Sequence, residues 1–352
     1  MIRFTFLLFS ALTVSACSSF GYYLDLMAGH SELLEQRKPV ADILADKETK
    51  PKLRKLLKTS QKIRDFASKE LHLPENDSYR QYVDLKRPYA VWNVVAAEEF
   101  SVKPKKWCFL IVGCLSYRGY YSKEEATAYA DELKVQGYDI YVAGAKAYST
   151  LGWFDDPLLN TMMYKSETHR AGIIFHELAH QVVYIDNDSA FNEAFATTVE
   201  EEGIRKWLTR NGKNNKYEEY LLDKQRDLQW NQLLQYTRNQ LKEIYKLKIS
   251  DKEKKLAKQQ AFSSLQYNYQ QLKNSWNGYN AYDKWMNQDL NNAHLLLVAT
   301  YHDLVPTFKA MLKNENYNLK KFYVAVEQYG QLDKEKRNKQ LLQIKQLAQK
   351  EK

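Results

Sequence analysis

The sequence predicts an α+β fold, in which a small mixed sheet precedes a helix bearing two histidines and a mostly α-helical half follows. Two features indicate this arrangement. Segments rich in β-branched and aromatic residues lie between positions 89 and 143, whereas apolar residues at helical spacing dominate after about position 205. We therefore expect three parts: a leader (1–16), an α+β region (17–205) and an α-helical region (206–352).

The leader has the pattern of a secretory signal. Arg3 is followed by the apolar run Phe4–Val14, which is too short to span a bilayer as a helix. The small residue Ala16 stands directly before Cys17, and this junction resembles a bacterial lipobox. The resemblance implies cleavage before Cys17, a lipid on that cysteine, and attachment to a membrane surface facing the periplasm. Ser18 favours the outer membrane. The alternative is an ordinary cleaved signal with an incidental cysteine.

The first part of the α+β region is expected to be helical from about 24 to 86, and a β-hairpin is expected to follow. Its strands would be 89–97 and 107–115, joined through a turn at Lys103-Pro104-Lys105. If 107–115 is one straight strand, Cys108 and Cys114 lie about 20 Å apart, beyond disulfide reach. A disulfide would need a turn at Gly113, so the sequence favours two buried thiols.

A helix and a third strand complete the predicted sheet region. Ser122, followed by two glutamates, has the pattern of a helix N-terminus, and Gly137 is a natural stop after Gln136. The pattern of residues 138–143 then predicts a third strand. Beyond about 205, long amphipathic helices are expected to reach the C-terminus.

The charge balance is basic but dispersed. The chain has 52 Lys+Arg against 43 Asp+Glu, a formal net charge of +9. The basic residues are spread through Lys/Gln/Glu-rich helices rather than gathered in one patch, so nucleic-acid binding is not expected. Most of the excess is interpreted as solvated helix faces, and an attraction to anionic lipid surfaces stays open. With 44% hydrophobic residues the chain can bury a substantial core.

The chemistry is expected at His176-Glu177-Leu178-Ala179-His180. Histidines at i and i+4 project from one side of a helix, so both can bind one tetrahedral zinc ion. A glutamate directly after the first histidine lies beside the zinc-bound water and can act as general base. The pattern therefore predicts a zinc site with Glu177 as the catalytic base.

A catalytic zinc usually has three protein ligands and one open position. Glu193, thirteen residues after His180, is the preferred third ligand, because the polar stretch 186–189 would let a second helix fold back. Asp186 is the rival, at the spacing of a metzincin-like ligand. That pattern needs a glycine three residues after the second histidine, where this chain has Val183.

Other side chains are candidates for roles around the metal. A donor opposite the zinc should stabilise the oxyanion of the reaction. The catalytic candidates for this role are Arg118, Tyr120, His294 and Tyr301, with Tyr117 and Tyr148 as further possibilities. Glu200 is expected either to orient a histidine ligand or to form a plain salt bridge.

These motifs resemble those of gluzincin peptidases and, over a longer stretch, the bacterial predicted-aminopeptidase family of lipoproteins. The resemblance rests on the zinc motif, on Asn192-Glu193-Ala194-Phe195-Ala196 with Glu200, and on segments at 117–120, 147–157 and 291–293. It implies zinc held by His176, His180 and Glu193, with a peptide as substrate.

The expected function is zinc-dependent peptide hydrolysis, with aminopeptidase action, at the periplasmic side of the cell envelope. The alternative is an envelope lipoprotein that serves as a scaffold or binding module and retains a vestigial zinc site. Such a site would be expected to have lost its general base, and Glu177 is present.

Overall fold

The computed structural model describes residues 21–109, 113–147, 150, 154–296 and 304–350. The predicted leader with Cys17, and the candidates Tyr148 and Tyr301, lie outside these ranges. Among the described residues, no helix combines the length and the apolar character needed to cross a membrane.

The helices account for most of the described chain. Their bounds are α1 (21–35), α2 (Val40–Ala45), α3 (Pro51–Leu71), α4 (Lys123–Val135), α5 (Asn160–Met163), α6 (Glu167–His180), α7 (Ser189–Arg210), α8 (Asn214–Ile244), α9 (Asp251–Ser275), α10 (Asp283–Met286), a 3₁₀ helix (Asn292–Leu296), α11 (Val305–Asn314), α12 (Leu319–Gly330) and α13 (Lys334–Lys350). Among the described residues after position 210 the regular structure is all helical, so the predicted α-helical C-terminal half is confirmed.

The strands form three small sheets. Their bounds are β1 (Lys38–Pro39), β2 (Gln81–Val83), β3 (Val91–Glu98), β4 (Trp107–Phe109), β5 (Gly113–Leu115), β6 (Arg118–Tyr120), β7 (Tyr138–Ala145) and β8 (Leu158–Leu159). One sheet has the order β1-β2-β8 and is mixed, because β2 pairs with β8 in parallel. The second has the order β6-β3-β7 and is antiparallel, and the third is the pair β4-β5. The mixed α+β class is therefore correct.

The predicted hairpin between 89–97 and 107–115 is wrong. The central strand β3 pairs with β7 along its whole length and with β6 on its other edge. The β7 edge is paired from Val91↔Ala145 to Glu98↔Tyr138, β6 pairs with Trp92 to Val94 on the other edge, and β4 pairs with β5 instead of with β3. Strand propensity identified β3 but carried no information about its partners, because pairing depends on contacts distant in sequence.

The expectation of two free thiols is also wrong. Residues 107–115 are not one straight strand: β4 and β5 pair antiparallel, with Cys108 directly opposite Cys114. Their Cα atoms are 3.8 Å apart and the sulfurs are bonded. Gly113, the residue proposed as the only possible break, has a φ of +71°, a backbone conformation that glycine adopts at little cost.

The helix expected at 122–136 is confirmed as α4. The Ser122 hydroxyl accepts a hydrogen bond from the backbone N–H of Glu125, which caps the helix, and Gly137 follows its end with a φ of +86°. Ala126, Ala130 and Leu133 of α4 are buried against the β6-β3-β7 sheet. The next strand, β7, begins at Tyr138 as predicted.

The largest core joins both halves of the chain. It contains buried residues from α3, α6 and α7 together with Phe308, Phe322 and Leu341 of the C-terminal helices. A second core lies between α8 and α9, where Trp230 and Leu241 pack with Phe262 and Leu265. The predicted division near 205 is thus crossed by one continuous apolar cluster that surrounds α6 and α7.

Candidate metal centre

The segment from His176 to His180 lies in the last turns of α6. The Ser166 hydroxyl accepts a hydrogen bond from the backbone N–H of His169 and caps the start of this helix. Ile174, Phe175 and Leu178 are fully buried, which fixes the helix against the core. The opposite face presents His176 and His180, whose ring centres are 4.9 Å apart. The helix therefore brings the two imidazoles together by local geometry alone.

A clamped turn brings α7 back onto α6. The Asn192 side chain accepts from the backbone N–H of Ile185 and donates to its carbonyl, both at 2.8 Å. The Asp188 carboxylate caps α7 and forms a buried ion pair with Arg337 of α13 at 2.6 Å. These contacts fix the turn between the helices, so that Glu193 faces the histidines.

His176, His180 and Glu193 form a group whose ligand atoms all lie within 4.8 Å of one another. The Nε2 atom of His176 is 3.2 Å from one Glu193 oxygen, and the Nε2 atom of His180 is 3.7 Å from the other. Ligand atoms of a tetrahedral zinc site with bonds near 2.1 Å lie roughly 3.4 Å apart. Two imidazoles and one carboxylate at these spacings fit a divalent metal such as zinc.

The rival ligand Asp186 does not join this group. It lies in the turn between α6 and α7, where it is exposed to solvent. Within the described residues, Glu193 is the carboxylate placed between the two Nε2 atoms. The arrangement favours Glu193 over Asp186.

Glu200 lies about two helical turns beyond Glu193 on α7 and contacts the Nδ1 side of the His176 ring. Its Oε2 atom is 3.1 Å from Nδ1 of His176, and its Oε1 atom accepts from Tyr220 at 3.3 Å and Lys224 at 3.2 Å, both on α8. Such a carboxylate fixes the tautomer with the proton on Nδ1, which leaves Nε2 free for a metal. Glu200 thus makes both of the contacts considered for it, the histidine contact and a salt bridge. By contrast, the buried Nδ1 atom of His180 has no partner among the described residues.

Gly172 makes room for Glu200. A Cβ atom at this position of α6 would lie 3.2 Å from Oε1 of Glu200 and 3.2 Å from Cδ1 of Ile204. Both contacts are tighter than ordinary van der Waals separations. The glycine therefore lets α7 approach α6 closely enough for Glu200 to reach His176.

The protonation of the group follows from this arrangement of charges. Burial would lower the pKa of His176, but the carboxylates of Glu193 and Glu200 outweigh it and raise the pKa to about 10. Burial lowers the pKa of His180 to about 4, helped by the charge on His176. Burial would raise the pKa of Glu200, but Lys224 and His176 hold it at about 2. A metal that binds Nε2 of His176 therefore competes with a proton for that atom.

Glu177 and His176 line a cavity of about 930 Å³, whereas His180 and Glu193 are not among its wall residues. The walls come from α6, α7, α8 and the segment before α10, and they include His169, His176, Glu177, Glu200, Tyr220, Lys224, Tyr279 and Tyr282. A cavity of this size can hold a few residues of an extended peptide, and its charged and aromatic walls offer both polar and stacking contacts.

Arg118 and Tyr120 lie on β6, outside the walls of this cavity. The guanidinium of Arg118 stacks on Tyr22 and Tyr129, with 3.9 Å and 4.4 Å to the ring centres. Tyr120 is buried in the same cluster, and burial raises the pKa of its hydroxyl. These contacts account for both residues as parts of the β6-β3-β7 sheet, and the structure does not bring them to the triad.

His294 lies in the 3₁₀ helix and is likewise not part of the cavity wall. Its ring stacks on Tyr141 with 4.2 Å between centres, and its Nδ1 atom accepts from the backbone N–H of Asn291. Burial lowers its pKa to about 4. The described contacts of His294 are those of a core histidine. The remaining candidate, Tyr301, lies outside the described residues.

Sequence reasoning missed three contributors to the site: Gly172, Tyr220 and Lys224. The spacing of Tyr220 and Lys224 places them on one face of α8. Nothing in the sequence shows that this face meets Glu200. The glycine within a helical pattern was a usable signal, because glycine in a helix interior often reports a close approach.

A model of the protein family described as "Putative aminopeptidase" matches residues 21–341 of the chain. No curated protein and no solved structure gives a significant match.

Proposed function

Because the chain belongs to the "Putative aminopeptidase" family, we propose that it is a zinc-dependent metallopeptidase of the gluzincin type that acts as an aminopeptidase. The observation that carries this proposal is the convergence of His176, His180 and Glu193 beside Glu177. Two imidazoles, one carboxylate and an adjacent carboxylate base are the side chains that metal-assisted amide hydrolysis requires.

Each residue of the centre has a distinct part in this chemistry. A bound zinc ion supplies Lewis acidity, which lowers the pKa of a water towards about 7 and polarises the scissile carbonyl. Glu177 takes the proton of the attacking water and passes it to the leaving amine. Glu200 holds His176 in one orientation, and its pairing with Lys224 keeps it ionised. The cavity next to Glu177 binds the peptide.

We place this activity at the periplasmic side of the cell envelope. The support is the N-terminal pattern, with Arg3, an apolar run and a cysteine directly after Ala16. In this proposal Cys17 carries the lipid that anchors the protein, and the outer membrane is the favoured site. The Cys108–Cys114 disulfide is consistent with residence in an oxidising compartment.

The test combines metal analysis with activity. Bound metal is measured for wild type, Glu193→Ala, Asp186→Ala and Glu177→Gln, and the same samples are assayed on aminoacyl substrates and internally quenched peptides. We expect one zinc per chain in wild type, retained in Asp186→Ala and Glu177→Gln and sharply weakened in Glu193→Ala. Activity should fall by about 10²–10⁴-fold in Glu177→Gln, since that is the usual contribution of a general base.

The outcomes distinguish an aminopeptidase, an endopeptidase and a scaffold with a vestigial site. Cleavage of aminoacyl substrates supports the aminopeptidase, and cleavage of blocked peptides alone supports an endopeptidase with the same centre. A wild-type chain that binds zinc but cleaves neither class would favour the scaffold with a vestigial site. Absence of zinc after reconstitution would remove the metallopeptidase proposal altogether.

A further inference from the structure

A groove rich in lysine lies at the N-terminal end of α3, outside the candidate metal centre, so the expectation that basic residues are not gathered in a patch is wrong here. It has a volume of about 700 Å³ and is formed by the 47–50 loop and by the first three turns of α3. We call it the basic groove. Six cations and a single carboxylate, Glu48, line it, and the cations are Lys47, Lys50, Arg54, Lys55, Lys58 and Lys62.

The loop that forms one wall is fixed by hydrogen bonds. The Arg54 guanidinium donates to the backbone carbonyls of Leu44 and Asp46. The Thr49 hydroxyl donates to the carbonyl of Ile43 at 2.7 Å. Arg54 therefore stabilises the loop, and these hydrogen bonds fix the wall of the groove without a bound ligand.

The five lysines of the groove are not used by the fold. All are exposed, and across the described ranges none forms an ion pair with a carboxylate. Three of the four lysines in the wall of the cavity beside Glu177 differ, because Lys213, Lys216 and Lys224 are paired with glutamates. Like charges at i, i+3 and i+4, as at Lys55, Lys58 and Lys62, slightly destabilise a helix. Folding therefore does not explain this concentration of charge.

The chemistry of the lining selects among anionic partners. It contains no aromatic side chain, so it lacks the stacking platform on which single-stranded nucleic acids depend. It also lacks the large apolar anchors that dominate protein interfaces. Five exposed lysines suit a diffuse layer of phosphate charges, and each strengthens binding to an anionic bilayer about five-fold.

We propose that the basic groove binds the anionic headgroups of a phospholipid membrane and holds this face of the protein against the bilayer. The groove begins roughly thirty residues after the predicted lipid anchor at Cys17, and a basic patch is a common second signal beside a lipid anchor. The groove does not depend on the peptidase activity, so either proposal can fail without the other.

The test compares vesicle binding of matched variants in a chain carrying Cys17→Ser, so that no lipid contributes. The groove variant is Lys55→Gln, Lys58→Gln and Lys62→Gln. The control is Lys242→Gln, Lys248→Gln and Lys252→Gln, three exposed lysines on α8, α9 and the loop between them. Co-sedimentation is measured with phosphatidylcholine vesicles with and without phosphatidylglycerol, at low and high salt, and circular dichroism confirms folding.

We expect the groove variant to bind phosphatidylglycerol vesicles about a hundred-fold more weakly than the control variant, with the difference lost at high salt. Equal losses in the two variants would attribute binding to net charge and overturn the proposal. Binding that ignores phosphatidylglycerol would also overturn it. Groove-dependent binding to a single-stranded oligonucleotide, without binding to vesicles, would assign the groove to another polyanion.

Discussion

At the scale of single residues, Glu200 joins the metal centre to the helical half of the chain. One of its oxygens contacts His176, and the other accepts from Tyr220 and Lys224 of α8. A carboxylate that contacts a histidine ligand would act on a bound metal through that histidine. The identity of residue 200 should therefore affect metal binding although Glu200 is not itself a proposed ligand.

We predict that Glu200→Gln weakens zinc binding by about 10–100-fold, the usual effect of losing such a partner. The glutamine amide no longer offers His176 a negatively charged acceptor. Losing this charge and losing the fixed orientation of the ring both lower the affinity for zinc. Competition with a chromophoric chelator measures the affinity. Glu201→Gln is the matched control, because Glu201 follows Glu200 in the sequence but pairs with Lys309. Equal affinity in the two variants would contradict the role given to Glu200.

At the scale of elements, the β4-β5 pair depends on its disulfide. The two strands have three residues each, and two-stranded hairpins of this size are marginal by themselves. The bond between Cys108 and Cys114 closes a loop of only a few residues, so it constrains the unfolded chain modestly. Trp107 of β4 also packs into the sheet cluster, with its indole N–H donating to Tyr129.

We predict that replacing both cysteines with serine lowers the free energy of unfolding by about 2 kcal/mol. The metal centre should be unaffected, because its contacts come from α6, α7 and α8. Urea unfolding with and without reductant makes the measurement, and the double variant should lose all sensitivity to reductant. A wild-type protein whose stability ignores reductant would show that the bond contributes nothing.

At the scale of the whole molecule, α6 and α7 share one core with the C-terminal helices. Phe308 of α11 is fully buried and packs on Phe191 and Phe195 of α7, with 5.0 Å and 6.3 Å between ring centres. The buried Asp188–Arg337 ion pair adds a second connection, from the start of α7 to α13. The turn that presents Glu193 is therefore supported by residues more than a hundred positions away.

We predict that Phe308→Ala lowers the free energy of unfolding by about 3–5 kcal/mol, because it leaves a cavity between α7 and α11. Zinc release and loss of helical circular dichroism should occur in one transition, since both depend on the shared core. Leu342→Ala, at a half-exposed position on α13, should change stability by about 0.5 kcal/mol or less. Two separate transitions in wild type would instead indicate independent domains.

Much of the architecture and part of the site follow from local pattern. The α+β class, α4 with its Ser122 cap and the long C-terminal helices could be predicted, because periodicity and capping are properties of neighbouring residues. The partners of β3 and the pairing of Cys108 with Cys114 could not. Both depend on which segments pair in the folded chain, and strand propensity does not determine the pairing.

The sequence by itself determined the histidine pair, because residues four apart on a helix must share a face. It also supplied Glu177 at the right spacing. Only the tertiary structure decided between Glu193 and Asp186, through the turn clamped by Asn192, and only it brought Lys224 to Glu200. The reason is physical: helical spacing is fixed within a few residues, whereas the approach of two helices depends on the whole core between them.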